Sequence, residues 1–506
     1  MQLNMPELGS NIVDALFGSY FSLGKDIGDK TTVLAIAQAV NINKYKLSHI
    51  LTKNSHAAKL NAAIEDPLLS GAQGVPFIDL KNGNSLKTLY GAQRFGVMET
   101  LLATIKNSSK HQLVGTYLSG EIYENSYYWL TKKSDCYRSS LSGLFTANIL
   151  KSIGWHIDVF ERSPADLDSR GGGMVLQPNV VNVFKKVGAE INGSLGVSSK
   201  DRVVFAPNGD ELQRDNAPQT QTSWSLIYSS MRKHCEDNHY HQGKTLVNIL
   251  QDEDSVTAIF SDKSEVSADI LIGADGGRST VREIVSPKTT IDYAGYVAWK
   301  GLINEKDMPE DAKQLIGDFG FASNTQSHIL GYLVPGDNNS TNEGSRYYNW
   351  VWYRTVEELT ELPDLMTDKK GNKRSFAMPP GMLTQKWVNK VYQDASELLP
   401  PPFKALVLAT KAPFAQAILD LTSESMVYNK VVLLGDAAFI PRPHTAASTA
   451  KAAANALTLG DGLTNVKTDD EFKRALHQWE MTQLKLGNYL YHQGSSAGNK
   501  LIFGSK

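Results

Sequence analysis

An α/β fold built on a parallel sheet is predicted by three segments that each read as strand, tight turn and helix start. They are "KKSDCYRSSLSGLFTANILKSIGWHIDVFERS" from Lys132, "SADILIGADGGRSTVREIV" from Ser267 and "VVLLGDAAFIPRPHTAASTAKAAANAL" from Val431. In the first, Leu144, Ala147, Ile149, Leu150 and Ile153 recur at helical spacing from Leu141, and Gly154 stands where a helix takes a left-handed cap. His156 to Phe160 form a strand-like run ending in Glu161. An acid there, about 20 residues past a phosphate loop, is placed to accept hydrogen bonds from the ribose hydroxyls of a dinucleotide. The loop itself is irregular: counted back from Gly143, the G-x-G-x-x-G positions hold Arg138, Ser140 and Gly143. Serine is small enough for close backbone approach, whereas arginine crowds the turn. Ser134, Asp135, Cys136 and Tyr137 also replace the Val/Ile run expected of a buried parallel strand. Taken alone, this segment reads equally well as an ordinary amphipathic helix.

The second segment places a short apolar strand, Ile270–Ile272, before Gly273, Asp275, Gly276 and Gly277, with Arg278 and Arg282 on the helix start that follows. The third ends an apolar strand abruptly at Gly435 and Asp436, and a proline-rich turn leads into a small-residue helix expected from about Thr445. A helix N-terminus exposes unpaired N–H groups and a partial positive charge, which suits a phosphate or an anionic ring edge.

In this order, the three segments resemble the FAD-dependent aromatic hydroxylases, the single-component flavoprotein monooxygenases. "YAGYVAWKGLI" from Tyr293, "YNWVWYR" from Tyr348, "PFAQAILDL" from Pro413 and "RPHTAASTAKAAANA" from Arg442 are similar to the dihydroxypyridine 3-hydroxylase branch. The resemblance runs from Lys132 to about Phe503 and implies a Rossmann-type FAD-binding domain with an interleaved β-sheet substrate domain. It further implies that Ser140 and Gly143 form the phosphate loop, that Glu161, with Arg162 beside it, holds the FAD ribose, and that Gly435 and Asp436 bind the ribityl chain. Asp275 falls on the pyrophosphate side, Arg170 and Gln177 line the flavin's entry strand, Arg232 approaches the pyrophosphate, and Pro443 and His444 sit beside the isoalloxazine. Thr445 and Ser448 stand where the family usually has glycine.

What the resemblance implies for chemistry is a reduced flavin that reacts with molecular oxygen to give a hydroperoxide, whose distal oxygen attacks an electron-rich small aromatic or N-heteroaromatic ring. The reductant is NADH or NADPH, bound transiently; no second G-x-G-x-x-G occurs, as that family leads one to expect. His444 is the candidate base for a substrate hydroxyl, set against its reading as a structural hydrogen bonder. Tyr296, Tyr348, Trp350, Trp352 and Tyr353 either line a planar pocket or form an aromatic strand facing the core.

With 506 residues, 41% apolar and 21% charged, and a net charge of −2, the chain has the length for two or three domains and nothing that suggests nucleic-acid or membrane partners. "MQLNMPELGSNIV" lacks the basic start and apolar core of a signal peptide. Two cysteines, Cys136 and Cys235, give neither a disulfide framework nor metal-ligand spacing, so no metal and a cytoplasmic setting are expected. A homodimer is what the family resemblance suggests.

Residues 1–110 need a separate account. Val33, Ile36, Ala37 and Val40 mark one amphipathic helix, Leu47, Ile50 and Leu51 another, and "GAQGVPFIDLKNGNSLKTLYGAQ" reads as loop, strand, turn and strand. This stretch resembles the C-terminal half of DsbA-like thioredoxin-fold proteins, in which "GVPF" carries a cis-proline, here Pro76. No cysteine lies in residues 1–130, so the C-x-x-C chemistry of a DsbA-like oxidoreductase or isomerase is disfavoured. The expected organisation is a partial thioredoxin-like segment (1–110), a junction (111–131) and a monooxygenase (132–506). Within the last, FAD-binding parts fall at about 132–290 and 425–465, the substrate sheet at about 290–425, and a C-terminal helix at about 468–495. The class-level rival is a flavin-impaired, silent fusion caused by Arg138.

Overall fold

The computed structural model describes residues 77–82, 85–90, 133–137, 140–165, 172–189 and 195–504. Arg138, Arg170, Pro76 and the two predicted N-terminal helices lie outside them. The chain divides into Met1–Asn125 and Ser126–Lys506. In the first unit, Phe77–Asn82 and Ser85–Tyr90 pair as antiparallel strands, the two strands read from the sequence.

Two sheets carry the second unit. The six-stranded sheet runs in the spatial order Val427–Tyr428, Val431–Leu433, Ile270–Gly273, Lys133–Tyr137, His156–Glu161, Tyr240–Gln242. All neighbours are parallel except the first pair. Gly273 stands level with both Tyr137 and Leu433, so the loops following all three predicted strands converge on one edge, where open α/β sheets bind ligands. Lys133–Tyr137 takes a central place despite its poor strand composition, because it is paired along its length on both sides. Tertiary pairing overrides local preference here.

The helix Leu141–Ser152 follows this strand and is buried from Leu141 to Leu150. Gly154, at φ +91°, closes it as the sequence predicts. A Cβ on Gly460 would come within 2.3 Å of Ile149 Cγ2, so glycine lets the helix Ser448–Leu463 lie against this one. That second helix starts three residues later than expected, because Pro443–Thr445 form a single 3-10 turn and Ala446 adopts φ +51° before it.

The second sheet has nine strands: Ala377–Met378, Phe414–Asp420, Asp292–Asn304, Tyr347–Thr355, Ser327–Val334, Phe319–Asn324, Val197–Phe205, Glu211–Ser223 and Gly173–Val175. Three of these precede residue 290, so the substrate sheet extends beyond the expected 290–425. After Glu161 the chain leaves the first sheet, adds these strands to the second, and returns at Tyr240. The last helix, Asp469–Phe503, opens with a capping box of Thr468 and Glu471 and runs past the expected 495. Its Gly494 and Gly498 do not end it, since they form the face on which Arg442 and Tyr296 rest. No described helix is long and apolar enough to cross a membrane.

Candidate active site

The converging strand ends build one side of the site. Ser140 Oγ donates to the carbonyl of Ala274 at 2.6 Å, tying the first loop to the second. Its hydroxyl therefore does not cap the helix Leu141–Ser152, whose first turn, holding buried Gly143, carries no acid. Gly435 adopts φ +63°, and a Cβ there would lie 2.1 Å from Ser142 Oγ, so only glycine permits this approach to the helix N-terminus. Asp275 is buried and serves as a cap: it accepts from Ser279 Oγ and, at 3.1 Å, from the Val281 N–H. Arg282, expected only at a helix start, donates to the carbonyls of Gly277 (2.6 Å) and Ala437 (3.0 Å), locking the second and third loops together.

Glu161 is 1% exposed at the end of its strand and accepts from the Ser163 N–H at 2.8 Å, while Arg162 is exposed. Arg232 ends the helix Trp224–Arg232, donates to the Cys235 carbonyl (2.9 Å) and Asp237 (2.8 Å), and covers the Tyr240 ring at 3.8 Å. That sets it at the sheet's edge strand. Asp436, its side chain 44% exposed, is paired at 3.0 Å with Lys451 Nζ, which is almost fully buried and also donates to the Phe439 carbonyl. Burial lowers the Lys451 pKa, and Asp436 opposes that shift. Sequence reading passed over Lys451 because a lysine four residues before Asn455 on an alanine-rich helix looks like a solvated one.

Two half-exposed strips adjoin this region: Gly172–Gln177, which contains the edge strand of the second sheet, and Pro443–Ala450, whose Ser448 Oγ lies 3.4 Å from Asp436 Oδ1. Thr449 Oγ1 meets Met174 Sδ at 3.5 Å, so the strips are adjacent. Gln177 precedes the helix Pro178–Val187 without capping it, which leaves its amide for other partners. Gly173 backs onto the second sheet: a Cβ would lie 2.7 Å from Tyr332 and 2.8 Å from Asn349 Nδ2. Asn349 Nδ2 is buried there with no hydrogen-bond partner.

At the far end, Tyr296 OH and His444 Nε2 are 2.8 Å apart. Tyr353 packs on the His444 ring at 4.6 Å between centroids, and His328, bonded through Nδ1 to Ser323 Oγ at 2.7 Å, lies beside both. Burial, with the charges of His328 and Arg442 adding to it, pushes His444 down to about 3; burial alone pushes His328 down to about 4. Burial raises the Tyr296 phenol, so the pair is neutral on both sides at ordinary pH. His444 is held by its neighbour: Arg442 forks onto Asp420, Nε at 2.9 Å from Oδ1 and Nη2 at 2.6 Å from Oδ2, and donates to Asn499 Oδ1 at 2.8 Å. A Cβ on Gly498 would lie 2.6 Å from Tyr296 OH and 3.0 Å from His444 Cδ2. The recurring glycines of the last helix were the available sequence signal for this packing.

The strand Tyr347–Thr355 divides the five predicted aromatic candidates. Tyr348, Trp350 and Trp352 alternate into the substrate-domain core, whereas Tyr353 joins Tyr296 on the opposite face. For the first three, the core reading holds.

The residues fit FAD. A buried acid ends one strand, a partly exposed acid ends another, a helix N-terminus to which Ser140 gives no side-chain cap lies between, and Asn349 Nδ2, without a hydrogen-bond partner, lies behind Gly173 of the strip beyond. Residues 293–420 match the FAD binding domain-like family and residues 2–103 the DSBA-like thioredoxin domain. The chain is 33% identical over 367 residues to 2,6-dihydroxypyridine 3-monooxygenase of Paenarthrobacter nicotinovorans, covering 72% of this chain and 90% of that relative. It is 24% identical to 6-hydroxynicotinate 3-monooxygenase of Bordetella bronchiseptica over 350 residues, 63% of this chain and 80% of the relative. The solved structure of 2,6-dihydroxypyridine-3-hydroxylase from Arthrobacter nicotinovorans superposes with a TM-score of 0.70 at 32% identity, covering 74% and 94% of the two chains. Klebsiella pneumoniae HpxO, solved with FAD and uric acid, shares the fold at a TM-score of 0.60 and 20% identity, over 75% and 91%. Fold, strand-end acids and this extent of shared sequence agree: the chain belongs to the FAD-dependent aromatic-ring monooxygenases.

Proposed function

We propose that the chain hydroxylates a small, electron-rich N-heteroaromatic ring of the hydroxypyridine class, consuming molecular oxygen and NADH or NADPH. The observation that carries this reading is the half-exposed strip Pro443–Ala450, which meets Asp436 through Ser448 Oγ at 3.4 Å and carries His444 of the neutral Tyr296–His444 pair, with Gly172–Gln177 alongside it. In it, Glu161 holds the adenosine ribose, with Arg162 at its rim. Ser140, Gly143 and the helix behind them receive the pyrophosphate, and Gly435 and Asp436 receive the ribityl chain. Lys451 fixes the direction of the Asp436 carboxylate, and Asp275 and Arg282 hold the loops that frame it. When bound, the flavin supplies the activation of oxygen.

The chain's own contribution is to orient the substrate and to handle its hydroxyl proton. His444, kept neutral by burial, accepts a hydrogen bond from a phenol-like hydroxyl at Nε2, in competition with Tyr296, and so raises electron density in the ring. Its low basicity makes it a polarising acceptor that does not keep the proton. Neither a silent fusion nor a thiol oxidoreductase draws support from this site.

The test is to supply dihydroxypyridines, hydroxypyridines and hydroxybenzoates and follow NAD(P)H oxidation, with labelled oxygen gas to trace the atom gained. Oxidation unaffected by every ring compound would sink the proposal. In Asp436→Ala we expect at least tenfold weaker flavin retention, from loss of the acid facing the ribityl hydroxyls. Unchanged flavin content would remove Asp436 from the site.

A further inference from the structure

Away from the cofactor cleft, four titratable side chains meet at the edge of the six-stranded sheet. His156 and Asp158 stand two apart on one strand, so both leave the same face. His239 and His241 flank Tyr240 at the start of the neighbouring edge strand, which pairs in parallel through Val159 and Tyr240. This register brings the two pairs onto one carboxylate. His239 Nδ1 lies 3.1 Å and His241 Nε2 3.0 Å from Asp158 Oδ1, and His156 Nε2 lies 3.5 Å from Oδ2. The donor atoms of His156, Asp158 and His239 all fall within 4.8 Å of one another, and the rings of His156 and His239 stand edge to face at 4.8 Å between centroids.

We propose that His156, Asp158 and His239 form a site for a divalent transition metal of the zinc class, with His241 holding the carboxylate in place. Neutral imidazoles each offer a lone pair, and a set of two imidazoles and one carboxylate is the donor chemistry that zinc takes with water in the remaining position. A tetrahedral ion about 2.0–2.2 Å from its ligands spaces them roughly 3.3–3.6 Å apart. Each histidine already lies near that spacing from one oxygen of the carboxylate, His239 from Oδ1 and His156 from Oδ2. Exposed His156 has the freedom to bring its nitrogen toward His239. His241 donates to the ligating carboxylate, the kind of outer partner that orients a metal ligand, and its ring stacks on Phe160 at 4.8 Å. The ion would join the three-residue edge strand to the sheet. The cleft beside it, lined by Trp155, His156, Cys235 and Glu236, gives access from solvent.

The experiment uses the full chain without an added histidine tag, stripped with chelator and titrated with Co²⁺ as an absorbing probe, then with Zn²⁺ in competition. Expected are one equivalent bound with a tetrahedral Co²⁺ spectrum displaced by Zn²⁺, and a thermal midpoint that rises with added Zn²⁺. His239→Ala should lose affinity at least 100-fold, and His241→Ala about 10- to 100-fold. Asp158→Asn tests the carboxylate; should it not fold, His156→Ala, at an exposed position, replaces it. Wild-type binding no tighter than that of the His156→Ala/His239→Ala double variant would overturn the proposal and leave a hydrogen-bonded cluster. Flavin content, read in the same samples, reports on the cofactor site separately.

Discussion

On one face of the strand Tyr347–Thr355, Trp350 and Trp352 are fully buried and donate their indole N–H groups to Thr410 Oγ1 and Ser327 Oγ. On the other face Tyr353 is nearly as buried, yet its neighbours are His444, His328 and Tyr296. Burial therefore does not separate core from site. The difference is what burial does: on the first face it removes apolar surface from water with every indole donor paired, and on the second it holds two imidazoles neutral beside a half-exposed strip. The first face contributes stability; the second holds the neutral imidazole that we propose as proton acceptor.

Trp350→Ala makes the sharpest test of that division. Removing a fully buried indole, and with it the bond that Thr410 Oγ1 accepts, should cost about 3–5 kcal/mol in denaturant unfolding, while folded molecules keep their flavin. A variant of ordinary stability with impaired hydroxylation would assign Trp350 to the site instead. His444→Gln should do the opposite, lowering turnover about 100-fold, the lower range for a positioned proton acceptor, with unfolding free energy changed by less than about 1 kcal/mol. Full activity in that variant would erase the distinction between the faces.

The smallest effect is a slope. His444 and His328 titrate near 3 and 4 when folded and near the ordinary histidine value of about 6.5 when unfolded. Below about pH 6.5 the unfolded chain binds more protons, so the stability present above that pH is lost as pH falls toward the folded values. Each histidine adds up to about 1.4 kcal/mol per pH unit in that window. A double replacement of both by glutamine should flatten the dependence between pH 6.5 and 4; an identical slope would mean that other groups govern acid unfolding.

Local signals carried much of this molecule into view from the chain alone. The cap at Gly154, the acid closing His156–Glu161, and the glycine and aspartate at 435–436 depend on a few neighbouring residues, and each appears where its spacing implied. Lys133–Tyr137 shows the limit: its residues argue against a buried strand, and only the strands on either side place it. Tyr296 and His444 are 148 positions apart and meet because two sheets and a glycine-faced helix converge. His241 and Asp158, 83 apart, meet through the register of one parallel pair. Sequence by itself determined the strand-turn-helix units, their acids and the family, because backbone preference and periodicity act over a few residues. Tertiary structure alone decided which face of an aromatic strand is core, which histidines are neutral and which carboxylate three of them share, because desolvation and contact depend on what the rest of the chain brings alongside.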